Sequence, residues 1–349
     1  VAFNEQLNFN NSISAEEEKI LRSILSRYPY KIISISKARS AYKVATDKGN
    51  ICLKKFQHGK QKAMNGFILV NELKKVGFHN TAEYLKTKKG YVLVRYKNYF
   101  FYATEWINGQ EVDISTLEET TNTVKLLAEF HISVSKINSS GLKIKDNIDN
   151  WLDLYNNKLN DFLMYKQAID KKLIKSSFDI DYYNSIDIYY NRGVKTLALL
   201  RESNYFLLIN SVNRETSICH NSFYYQNIIK KDTDYYLIDL DSIIIDLQIT
   251  DLCKYITRLM NRDEYFWDFD KAKEIIETYS NIKPISKEEL KIMLYVMMFP
   301  HKFWKLGRKR YIKHKNWNER KFNKKLIKLN SRITKENEFM EKFENYINQ

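Results

Sequence analysis

The residues best equipped for chemistry lie in one β-rich stretch, Ser217 to Lys230 followed by Tyr235 to Ile245. Its first part reads Ile218-Cys219-His220-Asn221-Ser222-Phe223-Tyr224-Tyr225-Gln226-Asn227-Ile228-Ile229, and its second Tyr236-Leu237-Ile238-Asp239-Leu240-Asp241. Two successive β-rich runs fold back as a hairpin, which brings His220, Ser222, Asn227, Asp239 and Asp241 toward one place. Phosphoryl transfer makes demands of this kind: a carboxylate near the attacking hydroxyl, and an Asn and an Asp that converge on magnesium. The three cysteines, Cys52, Cys219 and Cys253, offer no Cys-x-x-Cys or Cys/His metal spacing. They read as small buried hydrophobes in a reducing compartment.

The elements that must position these residues are readable from periodicity. Ser14 is an N-cap candidate ahead of Glu16, Glu17 and Glu18, with Ile20, Leu21, Ile24 and Leu25 at helical spacing. Runs at Ala41–Thr46 and Ile51–Phe56 flank the turn Asp47-Lys48-Gly49-Asn50 and predict a hairpin. Alternation makes Lys54 and Lys55 point oppositely, so one of them faces the inner side. Lys62 to Val76 reads as an amphipathic helix stopped by Gly77, and a second strand pair spans Tyr91–Val94 and Tyr99–Thr104. Beyond this the pattern is helical: Leu117–Val134, Trp151–Ile174, Tyr182–Arg201, and from Leu252 to the end.

His220, Ser222, Asn227 and Asp239 resemble, in order and spacing, the catalytic and metal loops of the aminoglycoside and choline phosphotransferases, distant relatives of protein kinases. Their pattern is His-Gly-Asp, four residues, Asn, then a strand ending in Ile-Asp. The resemblance implies an α+β, two-lobed protein-kinase-like fold, with a small β-rich N-lobe (1–108) and a large, mainly helical C-lobe (109–349) that carries the hairpin 217–245. It implies ATP and Mg2+ as cofactors, with Asn227 and Asp239 on the metal, Asp241 as a second metal contact, and His220 supporting the loop. Lys54 matches the lysine on the α/β-phosphates. Its usual partner is a Glu on the following helix, where only Glu72 stands, late in the helix. The loop Ser36-Lys37-Ala38-Arg39-Ser40 lacks glycine, so close backbone approach to phosphates is less assured; Lys37 and Arg39 supply charge instead. Glu105-Trp106-Ile107 matches the adenine-binding hinge. Ser222 stands where the family has its catalytic aspartate, and a serine hydroxyl is a poor proton acceptor at neutral pH. Ala128-Glu129-Phe130-His131 resembles the helix under the catalytic loop, with His131 a buried structural residue. Asp251 reads as an N-cap or loop anchor.

The run Phe299-Pro300-His301-Lys302-Phe303-Trp304-Lys305-Leu306, with Tyr311 beyond it, resembles the CotS-type spore coat proteins of endospore-forming bacteria. In that group Asp is usual where Ser222 stands. The resemblance implies synthesis in the mother-cell cytoplasm, residence in the spore coat, and coat proteins as partners.

Composition bounds these readings. With 349 residues, 44% hydrophobic, and only 9 Gly and 3 Pro, the chain supports a sizeable core without long flexible linkers. Val1 to Asn11 has no basic segment leading into an apolar one, and no apolar run approaches the roughly 20 residues of a membrane span. The 57 Lys+Arg against 42 Asp+Glu give a net charge of +15, which suits acidic partners or phosphorylated ligands. Basic residues from Lys305 to Lys325 interleave with Trp304, Tyr311 and Trp317, but Phe303, Leu306, Phe322, Leu326 and Leu329 keep near-helical spacing. Amphipathic helices account for that segment better than a nucleic-acid surface, for which no motif is present. Two functions stay open: a kinase-like coat protein with impaired or lost transfer, acting by binding, and an active phosphotransferase for a hydroxylated small molecule.

Overall fold

The computed structural model describes residues 13–349; Val1 to Asn11, read for a leader pattern, lie outside the described residues. The first elements are α1 (Ala15–Leu25), β1 (Ile32–Ala38), β2 (Ala41–Thr46), β3 (Gly49–Phe56), α2 (Lys60–Lys75), β4 (Tyr84–Leu85), β5 (Val94–Tyr96), β6 (Tyr99–Glu105) and β7 (Gln110–Glu111). Then come α3 (Leu117–Val134), α4 (Trp151–Asp170), α5 (Ser177–Glu202) and α6 (Tyr205–Ser211). The strands β8 (Ile218–Cys219), β9 (Ile228–Lys231), β10 (Asp234–Leu237) and β11 (Ile244–Ile245) follow. The chain ends with α7 (Ile249–Met260), α8 (Phe269–Ser280), α9 (Lys287–Met298), α10 (His301–Gly307), α11 (Glu319–Asn330) and α12 (Ile333–Asn348). This is the α+β class expected, with β structure N-terminal and helices dominating the remainder.

Backbone contacts divide the chain into two compact units. The first comprises residues up to 113 with 132–144 and 220–243. Its main sheet runs β1-β2-β3-β6-β4, with β5 beside β6. Ser14 caps α1 by accepting the Glu17 N–H at 3.1 Å, and Leu21, Ile24 and Leu25 bury against Tyr28, Val44, Leu53, Phe101 and Ala103. A second sheet, β10-β9-β7, contains the 228–237 hairpin. The division by backbone contacts groups residues 220–243, and so this hairpin, with the first unit. Gln110 and Glu111 pair with Lys230 and Ile229, and the Leu237 N–H donates to Asn80 O at 2.8 Å.

The second unit comprises 114–131, 145–219 and 244–349. Its core is strongly aromatic: Phe303 stacks between Tyr182 and Tyr189, with ring centroids 4.2 and 3.9 Å away. Ser176 and Asp179 form a capping box at the start of α5. His131 is fully buried, with Nδ1 2.7 Å from Tyr279 Oη and Nε2 3.3 Å from Asp251 Oδ2. Asp251 is therefore not an N-cap: it lies inside α7, and its carboxylate turns to the imidazole. Cys219 and Cys253 are buried, whereas Cys52 is only partly so. Among the described residues no helix is long and apolar enough to cross a membrane.

Candidate functional site

Every residue of the candidate site belongs to the first unit. Lys54 occupies the middle of β3, paired in register with Tyr102 of β6. Its side chain turns inward, while that of Lys55 turns out over the Tyr99 ring, 4.1 Å from its centroid. The Lys54 ammonium is ion-paired with Asp239 and lies 3.2 Å from Asp241 Oδ2. Burial works to lower its pKa, but the two carboxylates outweigh burial and hold it above the ordinary lysine value. Tyr102 donates to the same Asp241 oxygen at 3.1 Å and stacks on Tyr84 at 5.1 Å. Burial, Tyr84 and Asp241 push the Tyr102 phenol far up, so it stays a donor.

Helix α2 supplies no acid to Lys54. Glu72 pairs with its neighbour Lys75 at 2.5 Å. A Cβ at Gly66 would overlap the Tyr84 hydroxyl, so glycine is what lets that phenol reach its place. The ion pair expected between Lys54 and the following helix is thus replaced by Asp241, with Tyr102 fixing its carboxylate.

The loop ahead of the hairpin is tied by its own polar groups. His220 is fully buried. Its Nε2 donates to Ile238 O at 3.0 Å, and its Nδ1 accepts the Ser222 N–H at 3.2 Å. With both nitrogens engaged, the imidazole joins the loop to Ile238, the residue after β10, and is not placed to act as a base. Asn221 adopts φ +63° and Asp239 φ +70°, left-handed conformations that Asn and Asp tolerate better than most residues. Asn221 Nδ2 donates to Ser242 O at 3.2 Å. Asn227 is buried, and its Nδ2 donates to Ser222 O at 2.9 Å, with Ser222 Oγ at 3.4 Å.

A cavity of about 560 Å3 opens beside these groups. Lys54, Asn227 and Asp239 line it, and so do Glu105, Trp106 and Ile107. Its walls include Ala41, Val70, Ala82 and Leu237, apolar faces suited to a flat ring. The Trp106 N–H is spent on Asn50 O at 3.3 Å, but among the described residues no backbone bond engages the Ile107 N–H. Arg39 lines the cavity and Lys37 does not. Arg39 itself takes the positive φ, +54°, of the glycine-free turn, and its guanidinium pairs with Glu111 at 2.7 Å. His220, Ser222 and Asp241 are not part of the lining. Asn227 links the loop to the cavity, and Lys54 links Asp241 to it.

Two further acids near the loop in sequence, Asp241 and Asp246, are already engaged. Asp246 is buried and accepts hydrogen bonds from Trp151 Nε1, Asn147 Nδ2 and the Leu247 N–H, each at 2.9 Å. Burial raises its pKa despite these donors. Asp246→Ala strands the buried Trp151 and Leu247 donors and the half-buried Asn147 amide, and is expected to cost about 2–4 kcal/mol of stability in urea unfolding.

A family model described as "Spore coat putative kinase YutH" matches residues 21–343. Spore coat protein S of Bacillus subtilis (strain 168) is 23% identical over 333 residues, covering 93% of this chain and 94% of that protein. Among solved structures, an aminoglycoside phosphotransferase from Alicyclobacillus acidocaldarius matches with a TM-score of 0.82 at 19% identity, over 94% of this chain and 96% of that one. A spectinomycin phosphotransferase in complex with ADP and spectinomycin matches with a TM-score of 0.64 at 12% identity, over 94% and 98% of the two chains. At these identities the solved structures establish the fold, that of the kinase-like phosphotransferases expected from the sequence.

Proposed function

The chain belongs to the spore coat putative kinase YutH family, and from that premise we propose that it is a kinase-fold coat protein that binds an adenine nucleotide but has lost efficient phosphoryl transfer, and that acts in coat assembly by binding. The observation that carries this reading is the contrast between two halves of one site. Lys54, Asn227 and Asp239 converge on a cavity of nucleotide size. The loop beside them presents Ser222, while the neighbouring acid, Asp241, is held by Lys54 and Tyr102.

Adenine would lie between the apolar walls and meet the Ile107 N–H. Lys54 would meet the phosphates, and Arg39 would join them on leaving Glu111. Magnesium is consistent with the donor set. Asn227 spends its Nδ2 on Ser222, which leaves the amide oxygen, and Asp239 adds a carboxylate; both are hard oxygen donors. Among the described residues no three of His, Cys, Asp or Glu are grouped to hold a metal, so the ion would rest on Asn227, Asp239 and the nucleotide's own phosphates. When bound it would neutralise phosphate charge. Ser222 can orient an acceptor hydroxyl by hydrogen bond but has no carboxylate to take its proton.

Spore coat protein S is a relative over nearly the full chain, which supports the coat as the destination; synthesis in the mother-cell cytoplasm is part of the same proposal. The net charge of +15 suits acidic coat proteins as partners. The second reading, an active phosphotransferase for a hydroxylated small molecule, is favoured by the survival of Lys54, Asn227 and Asp239 together. Turnover across a broad panel of hydroxylated acceptors separates the two. The expected result is background rate for the wild type and a gain of about 10-fold or more in Ser222→Asp. Wild-type turnover that Asp239→Ala abolishes and Ser222→Asp leaves unchanged would favour the second reading instead.

A further inference from the structure

The loop between α4 and α5, in the second unit, projects Leu173 and Ile174. The first is fully exposed and the second 89% exposed. Both shoulders of this loop are pinned. Lys172 Nζ donates to both carboxylate oxygens of the buried Asp179 at 2.7 Å and lies 5.3 Å from the Tyr311 ring centroid. The Ser176 N–H donates to Asp179 Oδ2 at 3.0 Å, and Arg310 Nη2 donates to Ser176 Oγ at 3.4 Å. A fixed loop thus holds two aliphatic side chains out in water, where they add nothing to the core.

Arg310 and Tyr311 tie this loop to the basic segment beyond α10. There Trp317 packs on Phe322 with 5.2 Å between ring centroids. The Lys309, Lys321 and Lys325 ammonium groups lie 4.6, 4.7 and 5.5 Å from the Trp317 centroid. Lys313 and Lys315 are exposed, and the Lys315 N–H donates to Lys309 O at 2.9 Å. Among the described residues none of these five lysines forms an ion pair, nor do Lys171 and Lys175 of the loop. Burial first, then Lys305, Lys325, Lys315 and Lys313, hold the Lys309 pKa below the ordinary lysine value. The acids of residues 170–181 and 305–325 do not balance this charge. Asp179 and Glu319 are spent on Lys172 and Arg310, which leaves Asp170 and Asp181, both exposed.

From this juxtaposition we infer that the loop tip and the basic segment together form a peripheral docking surface for an anionic lipid bilayer. Leu173 and Ile174 enter the boundary between headgroups and acyl chains, while the unpaired lysines meet the lipid phosphates. Shape selects this partner. A projecting tip offers no groove to a protein segment, whereas a bilayer demands only depth. The Trp317 ring, packed on Phe322 and surrounded by ammonium groups, has no open face on which a base could stack; a tryptophan among lysines suits the headgroup region. The contact is superficial, since among the described residues no helix is long and apolar enough to cross a membrane. The inference does not rest on the nucleotide reading, because every residue of this surface belongs to the second unit and none lines that cavity.

The test is co-sedimentation of the full chain with vesicles of phosphatidylcholine alone and of an equimolar mixture with phosphatidylglycerol, at constant ionic strength. The wild type is expected to bind the anionic vesicles and not the neutral ones. Binding should fall about tenfold or more in the Leu173→Ser/Ile174→Ser double variant and about fivefold or more in Lys313→Gln/Lys315→Gln. All four side chains are exposed, so both variants should fold. Ile33→Ser, which alters an exposed aliphatic of the first unit, should bind like the wild type. The inference is overturned by no binding to anionic vesicles, by equal binding to neutral ones, or by binding that the tip variant leaves unchanged, which charge alone would explain. Self-association that depends on Leu173 and Ile174, without vesicle binding, would assign the surface to a second copy of the chain and overturn it as well.

Discussion

Replacing Lys54 by methionine is expected to abolish ATP binding at millimolar nucleotide and to lower stability by about 1–3 kcal/mol. The ammonium holds Asp239 and Asp241 together. Without it, two carboxylates face each other, and the Tyr102 and Ser242 hydroxyls are the donors left to Asp241. Asp239 is 37% exposed, so solvent screens part of the repulsion, which sets the modest stability range. The sign of the pH dependence follows from the raised Lys54 pKa. Its contribution is fully present below the ordinary lysine value and is lost only as pH rises through the higher folded one. The gap between wild type and variant in urea unfolding should therefore stay flat across neutral pH. A variant as stable as the wild type that still bound ATP would mean that the ion triad is incidental.

Gly109→Ala is expected to cost about 2–3 kcal/mol in urea unfolding and to weaken nucleotide binding at the same time. A Cβ there would overlap the Lys230 carbonyl oxygen and stand 2.8 Å from Ile229 Cγ2. These atoms belong to β9, which pairs with β7 immediately after Gly109, so neither side can yield without opening the ladder. Gly109 also lines the cavity, which couples the packing defect to binding. Gly141→Ala serves as the contrast. Its Cβ would meet Ile68 Cγ2 at 3.6 Å, an ordinary contact, and its effect should stay within about 0.5 kcal/mol. Equal losses from the two substitutions would point to a general intolerance of the unit and not to the close approach at β9.

Much of the fold was readable because its elements obey simple periods. Ser14 and its acidic first turn announced α1, and the flanking strands predicted the hairpin, although Gly49, at φ +106°, opens β3 opposite Thr46, so the turn is tighter than the one read. The identity of Lys54 as the inward lysine needed only the period of two. What the sequence withheld depends on register between distant strands. Tyr102 meets Asp241 because β3 and β6 align Lys54 with Tyr102, and no local pattern sets that alignment. Tyr84 and Glu111 come from two-residue strands, too short to show any period. Asp239 and Asp241 alternate with Leu240, which reads as two acids on one face. The left-handed backbone at Asp239 and the helical turn that follows it, Leu240–Ser242, instead set them on Lys54 together. The partnership of Lys158 with His301 joins residues 143 apart in sequence, so the basic and aromatic run could be noticed but not explained.

The central claim is that a nucleotide site persists where a catalytic carboxylate has been replaced by Ser222. The most direct measurement is calorimetric titration with ATP, with and without magnesium, on the wild type and Asp239→Ala. The account predicts magnesium-dependent binding to the wild type that weakens by about tenfold or more in Asp239→Ala. Absence of binding to the wild type at millimolar ATP would contradict it and leave the cavity a vestige of the fold.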